Sequence, residues 1–214
     1  MYPVMQGGSA MHNKQTGGIP VAPGTYTVAM SKVLNGMEMP LVAPQTFDLK
    51  LLGNLSLPAT DPIALENFKK EAAEVYGVTV GLTKYVDQMT KNVKALRTAL
   101  LNSPDATTED FMRADEYVTD LKRIKRQLSG DEIIRNLNES QEPNLNWRIS
   151  AVTYGAYHSS DATQTLKNNI KIVKEEVSKI ISEVKVILLQ LNLLQQRANI
   201  VGSPWSPGRI PDFK

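Results

Sequence analysis

Few residues of this chain have types and spacing that suit catalysis or metal binding. Its two histidines, His12 and His158, lie far apart in segments without helical periodicity, and cysteine is absent. The lack of cysteine excludes disulfides, thiol nucleophiles and cysteine-ligated metals. Neither histidine has a carboxylate at ligand spacing on a shared helix face, and nucleotide-binding, metalloprotease and serine-hydrolase motifs are missing. The sequence therefore predicts no catalytic residue, no metal ligand and no cofactor.

Paired acidic residues are the remaining candidates for chemistry, because glycosidases use two facing carboxylates. The pairs Glu109/Asp110 and Glu175/Glu176 are adjacent in segments with helical periodicity. Adjacent residues on a helix do not face each other. We therefore interpret these pairs as solvated helix faces and not as an acid/base centre.

One basic cluster, Lys122-Arg-Ile-Lys-Arg126, has the composition of a site for phosphate or lipid headgroups. It stands at the end of a predicted helix, where cations complement the helix dipole. The net charge of +2 gives no general preference for nucleic acid. We expect the cluster to stabilise the helix, and binding of anionic surfaces is the alternative.

Aromatic and arginine side chains in the last third of the chain are candidate interaction or packing anchors, because such residues dominate interface energetics. Trp205 and Arg209 lie in a proline-rich segment without helix or strand periodicity, Ser203 to Pro211, here called the strap. We expect this strap to be ordered and Trp205 to be buried against the long helices; an exposed anchor for a partner is the alternative. The full candidate set is Trp147, Arg148, Tyr154, Tyr157, Trp205 and Arg209.

Three long helices are predicted to position these residues. Apolar residues recur at spacings of three and four over 62–102, 108–129 and 162–201, a pattern typical of packed helices. Capping residues precede each segment, and the short connection after the first helix favours antiparallel neighbours. Residues expected to be buried together are Leu82, Val86, Leu121, Ile180 and Val184. The predicted caps are Asp61, Thr107 with Asp110, and Asp161 with Gln164.

The segment before the helices is predicted to be β. Alternation from Gly24 to Met30 predicts a strand, Asn35-Gly36 a tight hairpin turn, and Pro40 an edge position. An isolated hairpin is only marginally stable in water. We therefore expect residues 19–52 to pack on one end of the bundle. The residues expected at that contact are Met30, Phe47 and Leu49.

Four segments together resemble a known family. They are Pro20-Val-Ala-Pro-Gly-Thr-Tyr-Thr-Val28, Asn146-Trp-Arg-Ile-Ser-Ala-Val-Thr-Tyr-Gly155, Thr163-Gln-Thr165 and Gly202-Ser-Pro-Trp-Ser-Pro-Gly-Arg-Ile-Pro211. Their order is similar to the C-terminal region of large bacterial proteins that have sortilin-like (BNR/Asp-box) β-propellers and are described as glycosyl hydrolases. In that family the propellers come first, and an immunoglobulin-like domain and a helical hairpin end the chain. The resemblance covers nearly the whole chain from about residue 18.

Two departures limit what the resemblance implies. The propeller repeats, with any catalytic residues they carry, are absent, and residues 44–58 lack the tight strand-to-helix linker of the family. The resemblance thus implies a non-catalytic module that serves preceding β-propeller domains or another protein. The alternatives are an accessory domain of a glycan-processing enzyme and a binder of anionic surfaces. Packing of the helical seams within one chain is favoured, and self-association through the helices is the alternative.

The predicted fold class is mainly α with a small β unit (α+β), a long antiparallel helical bundle with an N-terminal β-hairpin or partial sandwich. Residues 1–18 form a flexible leader, 19–58 the hairpin or partial immunoglobulin-like unit, and 59–214 a three-helix bundle with an excursion at 131–160 and the strap. No apolar run is long enough for a membrane span, and residues 1–18 lack the apolar core of a signal peptide. The resemblance implies a periplasmic, cell-surface or secreted location as part of a larger precursor.

Overall fold

The structure, a computed structural model, describes residues 18–51, 53, 56–156 and 160–211. The mainly α class with a small β unit is confirmed. The predicted leader, 1–18, lies outside the described residues except for its last position. In chain order the elements are β1 (Gly24–Val28), β2 (Ser31–Leu34), β3 (Met37–Pro40), β4 (Gln45–Leu49), α1 (Pro62–Leu101), α2 (Thr108–Ser129), α3 (Glu132–Asn136), α4 (Leu145–Gly155) and α5 (Gln164–Ile200).

Local capping explains where the long helices begin. The Asp61 side chain accepts hydrogen bonds from the backbone N–H groups of Ile63 and Ala64, and Pro62 occupies the first turn, where a missing N–H costs nothing. The predicted cap of α5 was wrong by two residues, because Thr163 caps this helix. Asp161 instead accepts hydrogen bonds from the backbone N–H and the hydroxyl of Thr60, at 3.0 and 2.6 Å. This pair joins the beginnings of α1 and α5.

The long helices run up, down and up. The Thr60–Asp161 contact joins α1 and α5 at one end of the bundle, and the Ser103 hydroxyl donates to the Val201 carbonyl at the other. The helices α1 and α5 are therefore parallel to each other, and α2 runs antiparallel to both. Lys174 of α5 pairs with Glu71 of α1 at 2.8 Å, consistent with this shared direction.

The excursion at 131–160 contributes to the bundle, which sequence periodicity did not indicate. Its helix α4 continues the path of α2, and Leu145, Ile149 and Val152 are buried in the common core. The Asn146 amide donates to the hydroxyls of Thr83 and Ser129, at 3.1 and 3.2 Å. The third column of the bundle is therefore a broken helix, α2 followed by α4, facing α1 and α5.

The apolar periodicity correctly predicted the core. Val86, Leu121, Ile180 and Val184 are buried, and Leu82 is partly buried against the same cluster. Thr79 occupies a seam position and is fully buried, and its hydroxyl donates to the Val75 carbonyl one turn earlier at 2.7 Å. This internal bond allows a polar residue in the seam at little cost.

The interpretation of Asp110 as part of a solvated helix face is wrong, because its carboxylate is buried at the end of the bundle that lies next to the strap. The Asp110 carboxylate accepts a hydrogen bond from the backbone N–H of Thr107 at 2.9 Å, which is one half of the predicted capping box, and another from the Thr107 hydroxyl at 3.0 Å. Arg197 of α5 lies 3.5 Å from it. Burial acts to raise the pKa of Asp110, but the Thr107 hydrogen bonds and the Arg197 guanidinium outweigh it and hold the pKa below its ordinary value.

Because the pKa is lowered in the folded state, ionised Asp110 stabilises the fold above the unfolded pKa of about 3.9, and this stability is lost as pH falls through the folded value. We expect Asp110→Asn to lower the unfolding free energy by about 1 kcal/mol at pH 7. The deficit should shrink toward pH 3. Urea unfolding at both pH values tests this, with the exposed neighbour change Glu109→Gln as control. A deficit that is the same at both pH values would contradict the ionic contribution.

Candidate functional site

The four strands form two short two-stranded sheets along the arms of one β-hairpin, here called the β-ribbon. Antiparallel pairing joins β1 to β4, with Tyr26 opposite Phe47, and joins β2 to β3, with Leu34 opposite Met37. The predicted turn at Asn35-Gly36 is correct, and both residues have the positive φ, 52° and 79°, that a tight hairpin turn requires. The strand β4 belongs to the far arm of this same hairpin.

The ribbon is amphipathic along its whole length. Between the two ladders, one strand advances three residues, from Val28 to Ser31, and the other advances five, from Pro40 to Gln45. Two extra residues form a bulge that leaves the in–out alternation unchanged, since the period of a strand is two. One face, here called the apolar ribbon face, therefore collects large hydrophobic side chains, with Lys32 and Gln45 among them. They are Tyr26, Val28, Met30, Leu34, Met37, Met39, Leu41, Phe47 and Leu49.

This apolar ribbon face is not covered in the described chain. Met30, Phe47 and Leu49 are exposed, so the prediction that they contact the bundle is wrong. In the described ranges no strand packs extensively against a helix. The opposite face is more polar: it carries Thr25, hydrogen-bonded to Asp48 at 2.7 Å, although the exposed Val33 also lies on it. The prediction did not include Met37, Met39 and Leu41 in this face, although the alternation of apolar residues after Asn35-Gly36 indicated it.

The ribbon joins the bundle at its base. Ala22 is buried, and its backbone N–H donates to the Glu66 carboxylate of α1 at 2.6 Å. The Lys70 ammonium, 2.5 Å from Glu66, and this N–H lower the pKa of the Glu66 carboxyl. Tyr26 closes the base by donating its hydroxyl to the Ala22 carbonyl at 2.6 Å. The Glu66 carboxylate therefore anchors the base of the ribbon to α1, and the apolar ribbon face lies outside this contact.

The strap is ordered, but the expected burial of Trp205 is wrong. Its side chain is 58% exposed, and its indole N–H donates to the Arg209 carbonyl within the strap at 2.9 Å. Arg209 is the more enclosed residue: its Nη2 donates to the Ser203 carbonyl at 3.1 Å, and burial lowers the pKa of its guanidinium. The strap is thus held by its own hydrogen bonds and by the Gln195 amide of α5, which donates to the Gly208 carbonyl at 3.4 Å, and more than half of the Trp205 side chain stays exposed.

The other predicted anchors divide into internal and external residues. Arg148 is internal, since it donates to the Pro143 carbonyl at 3.2 Å and to Asn169 of α5 at 3.0 Å. Trp147 and Tyr154 are external, at 57% and 81% exposure. Tyr157 lies outside the described residues, as do both histidines. The predicted set is therefore not brought together into one site.

Trp147 borders an open cleft of about 740 Å³ between α4 and the excursion loop. Its other walls include Arg135, Glu142 and Ser150. Two further wall residues have structural roles: the Gln141 side chain accepts from the Asp131 N–H, and the Asn144 side chain caps α4. The cleft therefore offers one exposed indole and few unengaged polar groups.

The basic cluster of α2 is largely neutralised. Lys125 pairs with Asp87 at 2.7 Å, Arg126 pairs with Asp131 at 3.1 Å, and Arg123 pairs with Glu183. These ion pairs connect α2 to α1, to the excursion and to α5. Cations that already have carboxylate partners attract phosphate weakly, which argues against the anionic-surface alternative.

Within the described ranges, histidine, aspartate and glutamate side chains do not form a cluster of three suited to a metal ion. The helices described here are also not long and apolar enough to cross a membrane. The apolar ribbon face is an exposed feature of the described chain that packing within the fold does not explain. Searches of protein-family models, curated proteins and solved structures found no match for this chain.

Proposed function

We propose that the chain is a non-catalytic structural or interaction module, in which the helical bundle is a stem and the β-ribbon is the docking element. The observation that supports this most directly is the uncovered apolar ribbon face. Nine large apolar side chains on one face exceed what isolated surface hydrophobics explain, and such patches mark interaction sites. Tyr26 and Phe47, with ring centroids 6.1 Å apart, form an aromatic pair near the base of the ribbon.

The chemistry of the ribbon favours a β-rich partner. A two-stranded ribbon has two open edges with unpaired backbone groups, and a peptide strand or sheet edge satisfies them. The apolar face then needs an apolar surface, as in the packing of one sheet on another. Methionines at positions 30, 37 and 39 supply adaptable contacts.

The resemblance to sortilin-like proteins is consistent with such a partner. By that resemblance it is a β-propeller or immunoglobulin-like part of a larger secreted or cell-envelope protein. The bundle would then be a stem whose length is set by α1, which at 40 residues is about 60 Å long.

Site-specific photocrosslinking in source cells tests the docking proposal. A photoreactive phenylalanine analogue at Phe47 or Met37, on the apolar ribbon face, is expected to form a covalent adduct with a β-rich protein segment. The analogue at Thr46, on the polar face of the same strand, is the matched control and should give little adduct. Equal adducts from both faces, or none from the apolar face, would contradict the proposal.

The non-catalytic part of the proposal has its own test. Purified chain incubated with a panel of glycans is expected to release no reducing ends above a buffer blank. Hydrolysis that persists after rigorous purification would overturn it, whatever the crosslinking shows.

A further inference from the structure

A second apolar surface lies on the outer side of α5. Here called the outer stripe, it faces away from the core: Leu189 follows the buried Ile187 by two residues, which is about 200° around a helix. The spacing of its members is three, four and seven, which keeps them on one line. More than half of each side chain is exposed. The members are Val186, Leu189, Leu193 and Ile200.

The surroundings of the outer stripe resemble the centre of an interface. No charged residue occurs from 186 to 196, although α5 is richly charged before this run. The exposed residues beside the stripe are the amides Gln190, Asn192 and Gln196. Depletion of charge around exposed apolar residues distinguishes interface centres from ordinary surface. The core seam of α5 is already satisfied by α1, α2 and α4, so the outer stripe has no role in folding the single chain.

We propose that the outer stripe pairs with the outer stripe of a second copy of this chain, with the two α5 helices antiparallel. A stripe without charges is self-complementary, because two copies meet without like-charge repulsion. In an antiparallel pair each edge of the stripe meets its own counterpart. Centred near Leu191, this pairing places Leu189 of one copy opposite Leu193 of the other and Ser182 opposite Ile200. Arg197 and Glu183, at the ends of the stripe, already pair with Asp110 and Arg123 of α2, so the apolar stripe and its amide flanks hold the two copies together.

The size of the surface predicts a reversible dimer. Two stripes with their polar flanks bury on the order of 1,200 Å², the lower limit for specific interfaces. The pairing lies in the second half of α5, away from the base of the ribbon at the start of α1. It leaves the apolar ribbon face available, so dimerisation and ribbon docking are independent.

The experiment measures the mass of the full chain by sedimentation equilibrium across a concentration series. We expect a monomer–dimer equilibrium whose dissociation constant rises at least 100-fold in the variant Leu189→Glu/Leu193→Glu. Both residues are exposed in the monomer, so helix content by circular dichroism should be unchanged. The control Met112→Glu/Ile133→Glu alters equally exposed apolar residues on α2 and α3 and should still dimerise.

Because the chain has no cysteine, introduced cysteines report direction. Gln190→Cys lies near the predicted two-fold axis and should form a disulfide-linked dimer on oxidation. Ser182→Cys should not link to itself, since its two copies lie about 27 Å apart along an antiparallel pair, but it should link to Ile200→Cys in a mixture.

Three results would overturn the proposal. One is a monomer at every concentration, and a second is a dimer that Leu189→Glu/Leu193→Glu does not weaken. The third is self-linking of Ser182→Cys as efficient as that of Gln190→Cys, which indicates a parallel pair. The second result, combined with dissociation of the dimer by Phe47→Lys, would assign the contact to the ribbon.

Discussion

Replacing Leu121 with alanine is expected to lower the free energy of unfolding by about 2–5 kcal/mol. Leu121 lies at the middle of α2, and none of its surface reaches solvent. Truncation removes buried apolar surface and leaves a cavity among helices that are held by α1, α4 and α5 together and cannot collapse easily. Urea unfolding followed by circular dichroism measures the change at constant slope.

The matched control for this change is Leu137→Ala. Leu137 ends α3 and is 68% exposed, so its truncation should alter stability by less than about 0.5 kcal/mol. Similar losses in the two variants would mean that α2 is not a core element. A loss in Leu121→Ala alone supports the bundle that α2 shares with the other long helices.

Gly130→Ala is the second change with a large expected effect, about 2–3 kcal/mol of lost stability. Gly130 ends α2 with φ of 80°, where a side chain costs free energy in any surroundings. An added Cβ would also lie 2.7 Å from the Gln141 Oε1 and 2.9 Å from the Asn144 Nδ2. Gln141 would have to move from the Asp131 N–H that it accepts from, so a hydrogen bond is lost as well.

Gly77→Ala is the control for Gly130→Ala, and its effect should have the opposite sign. Gly77 lies within α1, is exposed, and has open space around the position of a Cβ. Alanine there should raise stability by about 0.5–1 kcal/mol, because glycine loses more backbone entropy in a helix. Chemical denaturation of both variants gives the two signs directly. A stable Gly130→Ala protein would show that the junction between α2 and the excursion rearranges freely.

These changes also probe how the surfaces are held. The junction at Gly130 positions α4, which carries Trp147 beside the cleft. The apolar ribbon face depends instead on the anchor between Ala22 and Glu66. We therefore expect Gly130→Ala to disturb the cleft and to leave ribbon docking unchanged. A loss of stability at Gly130 can then be told apart from a loss of binding at the ribbon.

The sequence alone determined the helices, their core seams and the hairpin turn. Each of these depends on local chemistry: a cap within three residues, as at Asp61, apolar residues one turn apart, as from Val86 to Met89, or the positive φ of Asn35-Gly36. A pattern of this kind requires no knowledge of distant neighbours. This is why the mainly α class and the buried residues of the helical seams could be predicted from the sequence.

Tertiary structure alone decided which apolar surfaces are covered. Met30 and Phe47 belong to strands whose apolar residues alternate as they do in a buried sheet, yet both side chains are exposed. Leu189 and Ile187 belong to the same helix, but Ile187 is buried and Leu189 faces outward. Likewise Ile149, in a segment predicted as an excursion, is fully buried, whereas Trp205 is exposed. Periodicity tells which side chains share a face, but burial depends on whether another element arrives at that face. Whether another element packs on a face depends on the path of the chain and on partners, and the local spacing of residues specifies neither.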